Sequence, residues 1–159
     1  MITERTGPSI NKGRSRQDYE TPVDFMRAVA ARFGAPVLDL AASDSNAKAP
    51  MWITEAQDSL KVAWHDEVSG VLWLNPPYGI IGPWAKKCWE EKQEGARILM
   101  LVPASVGSNW FKDYVHNRAL VCFLSPRITF EGADDPYPKD LMLCCYNFGV
   151  AGYECWRWK

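Results

Sequence analysis

The strongest constraint on this chain is that its most strand-like runs, Ala96–Pro103 and Gly70–Leu74, are apolar almost throughout and alternate with helical patterns. Strands that alternate with helices indicate a largely parallel sheet covered on both faces. Upstream of these runs, Val23, Phe25, Met26, Val29, Ala30 and Phe33 recur at helical spacing, with Thr21 as the expected N-cap, Pro22 in the first turn and Gly34 as the stop. A strand over Pro36–Leu40 follows, then a polar loop, then abbreviated strands within Met51–Val68. Pro83–Glu94 reads as a helix carrying Trp84, Cys88 and a Lys87 to Glu91 pair at turn spacing, and Gly95 closes it. Asn109–Asn117 reads as a further helix and Leu120–Leu124 as a strand. Arg127–Phe130, a loop over Gly132–Lys139 and the β-rich Leu141–Phe148 then fold back as an antiparallel C-terminal hairpin. Gly149–Lys159 fits either a last strand or a phosphate contact. The expected class is α/β, with a mostly parallel sheet.

Composition limits the partners. Eighteen Lys and Arg against nineteen Asp and Glu leave a net charge of −1, so a polyanion must be gripped locally and not by bulk positive charge. With 47% hydrophobic residues in 159, a core is well supplied, and residues 19–159 are expected to form a single domain. Residues 1–18 lack apolar periodicity and read as a flexible arm whose Arg5, Lys12, Arg14 and Arg16 can meet phosphate. The longest apolar stretch, Ala96–Ala104, contains Arg97 and falls far short of the ~20 residues that cross a bilayer. No basic start leads into an apolar segment, so the expected location is the cytoplasm. Five cysteines without a CxxC pair, and only His65 and His116 beside them, read as reduced core thiols with no metal site. Most of the eight Trp are expected in the core.

The chemistry concentrates at Asn75-Pro76-Pro77-Tyr78, directly after Val71–Leu74. Asn75 precedes a proline and is pushed into an extended conformation, while two successive prolines fix φ and offer carbonyls without a competing N–H. The product is a rigid acceptor platform at the carboxyl end of a central strand, where open α/β sheets place their ligand crevices. It suits a planar amino group whose two hydrogens are accepted at once, by the Asn75 side-chain oxygen and the Pro76 carbonyl. Tyr78 can stack on the attached ring. Drawing on both hydrogens takes the lone pair out of ring conjugation and makes the nitrogen nucleophilic. A plain strand-ending turn is the bland alternative.

With Tyr19-Glu20-Thr21-Pro22, Val37-Leu38-Asp39-Leu40-Ala41-Ala42, Leu101-Val102-Pro103-Ala104 and Arg127-Ile128-Thr129-Phe130 in order around that tetrapeptide, the chain resembles the small phage-type DNA N6-adenine methyltransferases. The resemblance spans about residues 19–148. It implies a Rossmann-like class I methyltransferase fold with S-adenosylmethionine as cofactor and DNA as partner. Asn75, Pro76, Pro77 and Tyr78 would then be catalytic, and Thr21, Pro22, Asp39, Leu40 and Ala41 would bind the cofactor, Asp39 through the cofactor's amino group. Asp58 is the first choice among Asp44, Glu55, Asp58 and Asp66 for a ribose-binding acid, although a surface loop there is equally consistent. Arg127 and Phe130 are the expected substrate contacts. The chain departs from related enzymes in having Ala41-Ala42-Ser43-Asp44 where a Gly-rich turn is usual, so glycine roles do not transfer. A separate target-recognition domain is not expected, which implies short or relaxed sequence specificity. Cytosine N4, protein glutamine, or non-catalytic binding of single-stranded nucleic acid are the alternative readings.

Overall fold

A computed structural model describes residues 19–159; the arm expected over residues 1–18 lies outside the described residues. In chain order the elements are α1 (Val23–Phe33), β1 (Pro36–Asp39), β2 (Met51–Trp52), β3 (Val71–Leu74), α2 (Ile81–Gln93), β4 (Arg97–Pro103), α3 (Asn109–Tyr114), β5 (Leu120–Ser125), β6 (Leu141–Tyr146) and β7 (Gly152–Arg157). They build one seven-stranded sheet in the order β2-β1-β3-β4-β6-β5-β7. All neighbours pair in parallel except β6, which runs antiparallel between β4 and β5. The carboxyl ends of β1, β3, β4, β5 and β7 therefore share one edge, and β6 starts from it.

Alternate residues of the central strands feed two cores. Val71, Trp73, Leu99, Leu101, Leu143 and Cys145 pack with Phe25 and Val29 of α1. Leu72, Leu74, Ile98, Met100, Met142 and Cys144 pack with Trp84, Ala85 and Cys88 of α2. This two-sided burial is why these strands read as unbroken apolar runs. Cys144 and Cys145 face opposite ways, and Cys88 and Cys122 are buried while Cys155 is exposed, all as free thiols.

Several boundaries differ from expectation for local reasons. The N-cap of α1 is Pro22, which makes no side-chain cap bond; the orphan Val23 N–H donates instead to Glu131 Oε1 at 3.2 Å. Thr21 is buried and turned toward the end of β3. Arg127–Phe130 is not a strand. Pro126 cannot donate to a ladder and ends β5, and the backbone of this segment bonds within its own loop, from Tyr137 N–H to Ile128 O and from Ala133 N–H to Phe130 O. Its in-out alternation, with Ile128 and Phe130 buried, serves packing under a loop. The antiparallel pairings are those of β6 with β4 and with β5, the latter joined to it across residues 126–140. Within residues 149–159, Gly152–Arg157 forms β7 beside β5, with Trp156 and Trp158 against Phe25. The Met51–Val68 region contributes two strand residues and two 3₁₀ turns, Glu55–Gln57 and Ser59–Lys61.

The length of α2 behind the β3 crevice is held by Glu91, 3% exposed. It accepts bonds from Lys87 Nζ at 2.7 Å, His65 N–H at 3.0 Å and the His65 ring at 2.5 Å. Glu91→Ala leaves a half-buried ammonium without its partner and should lower stability by about 3 kcal/mol, read from urea unfolding midpoints at unchanged m-value. Among the described residues, no helix is long and apolar enough to cross a membrane, and no cluster of three His, Cys, Asp or Glu is arranged to hold a metal.

Candidate active site

The site is built where β1 and β3 end side by side. Every residue of β3 is buried, and the two prolines that follow are buried as well, so Asn75 is carried on a stiff support. Its Nδ2 donates to Tyr19 O at 2.7 Å and to Thr21 Oγ1 at 3.3 Å. These two bonds use the amide's donors and fix its orientation, leaving Oδ1 buried with no hydrogen-bond partner. An unpaired buried acceptor costs about 1–3 kcal/mol and marks a place prepared for an incoming donor.

Tyr78 lies beside it with its ring stacked on Tyr19, centroids 5.6 Å apart and planes 21° from parallel. Its hydroxyl is also buried and unpartnered, and burial holds its pKa well above the usual tyrosine value, so it stays neutral. Phe130 and Tyr137 complete an aromatic group around Tyr19, at 5.2 and 5.3 Å.

At the end of β1, Asp39 is 3% exposed. Its Oδ1 accepts from Ala41 N–H at 3.2 Å and its Oδ2 from Lys48 N–H at 2.9 Å. Burial outweighs these bonds and raises its pKa to about 6. The Lys48 ammonium is paired to Glu20 at 2.8 Å, and its charge only partly offsets the burial of Asp39. Asp39, Thr21, Trp73 and Asn75 line one small cavity of about 20 Å³. A larger one, about 830 Å³, opens between the loop after β1, the segment around Ile53–Ser59 and Trp84 of α2. Ala41 and Asn46 line both, so the two cavities adjoin. The loop that divides them needs no glycine: Ser43 N–H is held by Asn46 Oδ1 at 2.7 Å, and Ala42 N–H by Ile53 O at 3.2 Å.

The structure thus brings together Asn75, Tyr78, Thr21 and Asp39, with Leu40 and Ala41 in the wall of the large cavity. Pro22 begins α1 just behind Thr21. Asp58 also lines the large cavity, in a left-handed conformation and paired to Lys61 at 2.7 Å; Asp44 and Glu55 share that wall, and Asp44 accepts the Trp52 indole N–H at 3.0 Å. Phe130 reaches the aromatic group. Arg127 does not: it is exposed and bound to Asp140 at 3.0 Å and to Pro138 O at 3.3 Å.

Two residues read from sequence only as core material belong here. The indole N–H groups of Trp73 and Trp84 are buried without partners, and the residues line the small and large cavities respectively. With Asn75 Oδ1 and the Tyr78 hydroxyl they are the unpartnered buried side-chain polar atoms found among the described residues. The available signal for Trp73 was its place two residues before Asn75 on the same strand face.

Compared with known proteins, residues 9–141 match the family described as DNA N-6-adenine-methyltransferase (Dam). A protein of Escherichia phage T1 named DNA N-6-adenine-methyltransferase is 29% identical over 124 residues, which are 78% of this chain and 51% of the phage protein. The chain spans about half the length of that curated relative. With the family match running from ahead of the Tyr19 segment to the start of β6, and so across both cavities, the chain belongs to the DNA N-6-adenine-methyltransferase (Dam) family.

Proposed function

We propose that this chain transfers a methyl group from S-adenosylmethionine to N6 of adenine in DNA, on a Rossmann-like class I methyltransferase fold formed by residues 19–159. The observation that carries the reading is the unpaired, buried Asn75 Oδ1, aimed by two bonds to its own amide nitrogen and adjoining a cavity with a buried carboxylate.

The residues present fit the cofactor. Asp39 is a carboxylate held out of water and suited to a cationic amino group, and Thr21, with Pro22 behind it, closes that end. Trp73 lines the small cavity beside Asp39; that cavity's volume of about 20 Å³ is room for about one water-sized polar group, so the amino-acid moiety approaches Asp39 from the adjoining large cavity. The large cavity suits the adenosyl part, with Leu40, Ala41 and the Trp84 ring as apolar wall and Asp58 as ribose acceptor. When bound, the cofactor supplies a methyl group on a positively charged sulfur. Everything else is positioning by the protein. A duplex adenine hides its amine in the stack and must be flipped out at a cost of a few kcal/mol, offset in part by stacking on Tyr78, about 1–3 kcal/mol per base. Asn75 Oδ1 and the Pro76 carbonyl then accept one amine hydrogen each, and Pro77 keeps the corner from relaxing. Neither oxygen has to take a proton in that step; the gain comes from preorganised acceptors in a dry site. Phe130 abuts the base, Arg127 meets DNA phosphate only by giving up its bond to Asp140, and the cytoplasm is the setting in which DNA is met.

The direct test is nucleoside chromatography of DNA incubated with the protein and labelled donor. Label in N6-methyladenine is expected. Label in N4-methylcytosine, or in a protein acceptor alone, overturns the substrate, and no heat on titration with S-adenosylmethionine overturns the enzyme. A finer check concerns Trp84. Trp84→Ala strips this aromatic wall, which stacks on Trp64 at 6.4 Å, so cofactor affinity should fall about tenfold by calorimetry.

A further inference from the structure

We propose that Tyr19 holds the place of the acceptor base in the free protein and is displaced by it, so that Tyr19 governs how readily a base reaches Asn75. The inference rests on reading Asn75 as the amine acceptor.

A base stacked on Tyr78 needs about 3.5 Å of clear depth above that ring. The Tyr19 ring takes up that depth, near-parallel to Tyr78 at 5.6 Å. It receives from its surroundings what a planar base would receive: a face from Tyr78, an inclined ring from Phe130 at 43° and an edge from Tyr137 at 75°. Tyr137 also packs against each of the other two, with ring centroids 5.9 Å from Tyr78 and 5.6 Å from Phe130. Without the Tyr19 ring these three rings leave a ring-sized space next to the Tyr19 carbonyl, which holds Asn75 Nδ2 at 2.7 Å. The Asn75 acceptor atom is buried and unpaired, in line with a free protein whose base position is filled by a ring with no amine to offer.

The backbone at Tyr19 is anchored while the ring is not tied by a hydrogen bond among the described residues. Its carbonyl holds Asn75 Nδ2, the next carbonyl, Glu20 O, accepts Glu131 N–H at 3.0 Å, and the Glu20 side chain is paired to Lys48. The ring therefore leaves by rotation about its own side-chain bonds, and the bond that aims Asn75 Oδ1 survives the exchange. Tyr19 is in this sense a positioning residue twice over, through its carbonyl for the acceptor and through its ring for access.

The experiment uses a duplex in which an adenine methylated by the wild-type chain, mapped from its products, is replaced by 2-aminopurine. Binding and the fluorescence rise on unstacking are followed for wild type, Tyr19→Ala, Tyr19→Phe and Tyr19→Trp. Tyr19→Ala should bind about tenfold more tightly with a larger fluorescence rise, Tyr19→Phe should match wild type, and Tyr19→Trp, a larger occupant of the same space, should bind several-fold more weakly. Unchanged or weaker binding by Tyr19→Ala, or wild-type binding by Tyr19→Trp, overturns the proposal; if circular dichroism shows the Ala variant unfolded, the Trp and Phe variants decide. A wild-type chain that makes no N6-methyladenine fails the Asn75 reading itself. A wild-type chain that methylates while all three variants bind alike fails only the role given to Tyr19.

Discussion

Asn75→Ala should lower single-turnover methyl transfer by about a thousandfold, the upper range for loss of one preorganised hydrogen-bonding group at a reacting centre, while cofactor affinity changes by less than about threefold. The split follows from what the amide touches. Its Oδ1 faces the position of the amine and has no protein partner, so alanine removes an interaction made only with the acceptor. Its Nδ2 serves Tyr19 O at 2.7 Å and, more weakly, Thr21 Oγ1 at 3.3 Å; only the second of these bonds touches the cofactor end, so the effect on cofactor affinity stays small. Folding should be little disturbed, because the variant loses a satisfied donor and an unsatisfied acceptor together. Asn75→Asp separates the two functions. A carboxylate still accepts a hydrogen, but it meets the Tyr19 carbonyl with no N–H to give, so turnover should fall between wild type and alanine. Near wild-type turnover in Asn75→Ala removes the acceptor role. Loss of activity that tracks loss of calorimetric heat with S-adenosylmethionine moves Asn75 to the cofactor side of the site.

What could be read before the fold was known was the chemistry that backbone and burial enforce locally. An all-apolar strand stopped by Asn75-Pro76-Pro77 has few places to be except the carboxyl end of a buried strand, and Asp39 at the end of a second such strand follows by the same logic. Long-range placement was not legible. β6 inserts between β4 and β5 because its two apolar faces match both cores, and nothing in Leu141–Tyr146 alone names its neighbours. Ile128 and Phe130 alternate like strand residues, yet Pro126 and the Tyr137 N–H bond to Ile128 O make the segment a packed loop. Arg127 reads as a free cation until Asp140 is found beside it. Trp73 and Trp84 are indistinguishable in sequence from any buried aromatic; only an indole N–H without a partner, on a residue that lines a cavity, sets them apart. Tyr19 shows the same limit, since its stack on Tyr78 joins residues 59 positions apart.

Asp39→Asn should weaken S-adenosylmethionine binding about a hundredfold at pH 7 and abolish its pH dependence. Removing one member of a buried charge pair costs about 2–5 kcal/mol, and a carboxamide in this pocket presents no charge to the cofactor's amino group. The pH argument comes from burial. Asp39 titrates at about 6, so below that value the free protein is increasingly neutral there and must lose the proton before it can hold a cation. Wild-type affinity should therefore rise about tenfold from pH 5 to pH 7, while the asparagine variant stays flat. The same shift has the opposite sign for folding without cofactor. The unfolded carboxyl ionises near 4 and the folded one near 6, so between these pH values the unfolded state gives up its proton first and stability falls, by about 3 kcal/mol over the whole window. Subtracting the unfolding curves of Asp39→Asn from those of wild type isolates this contribution from the other carboxylates. Cofactor should restore it, which makes the thermal shift produced by S-adenosylmethionine larger at pH 7 than at pH 5. A wild-type affinity that does not change between these pH values, or an asparagine variant that binds as tightly, leaves Asp39 as a buried strand-end acid whose bonds to Ala41 and Lys48 N–H only shape the loop.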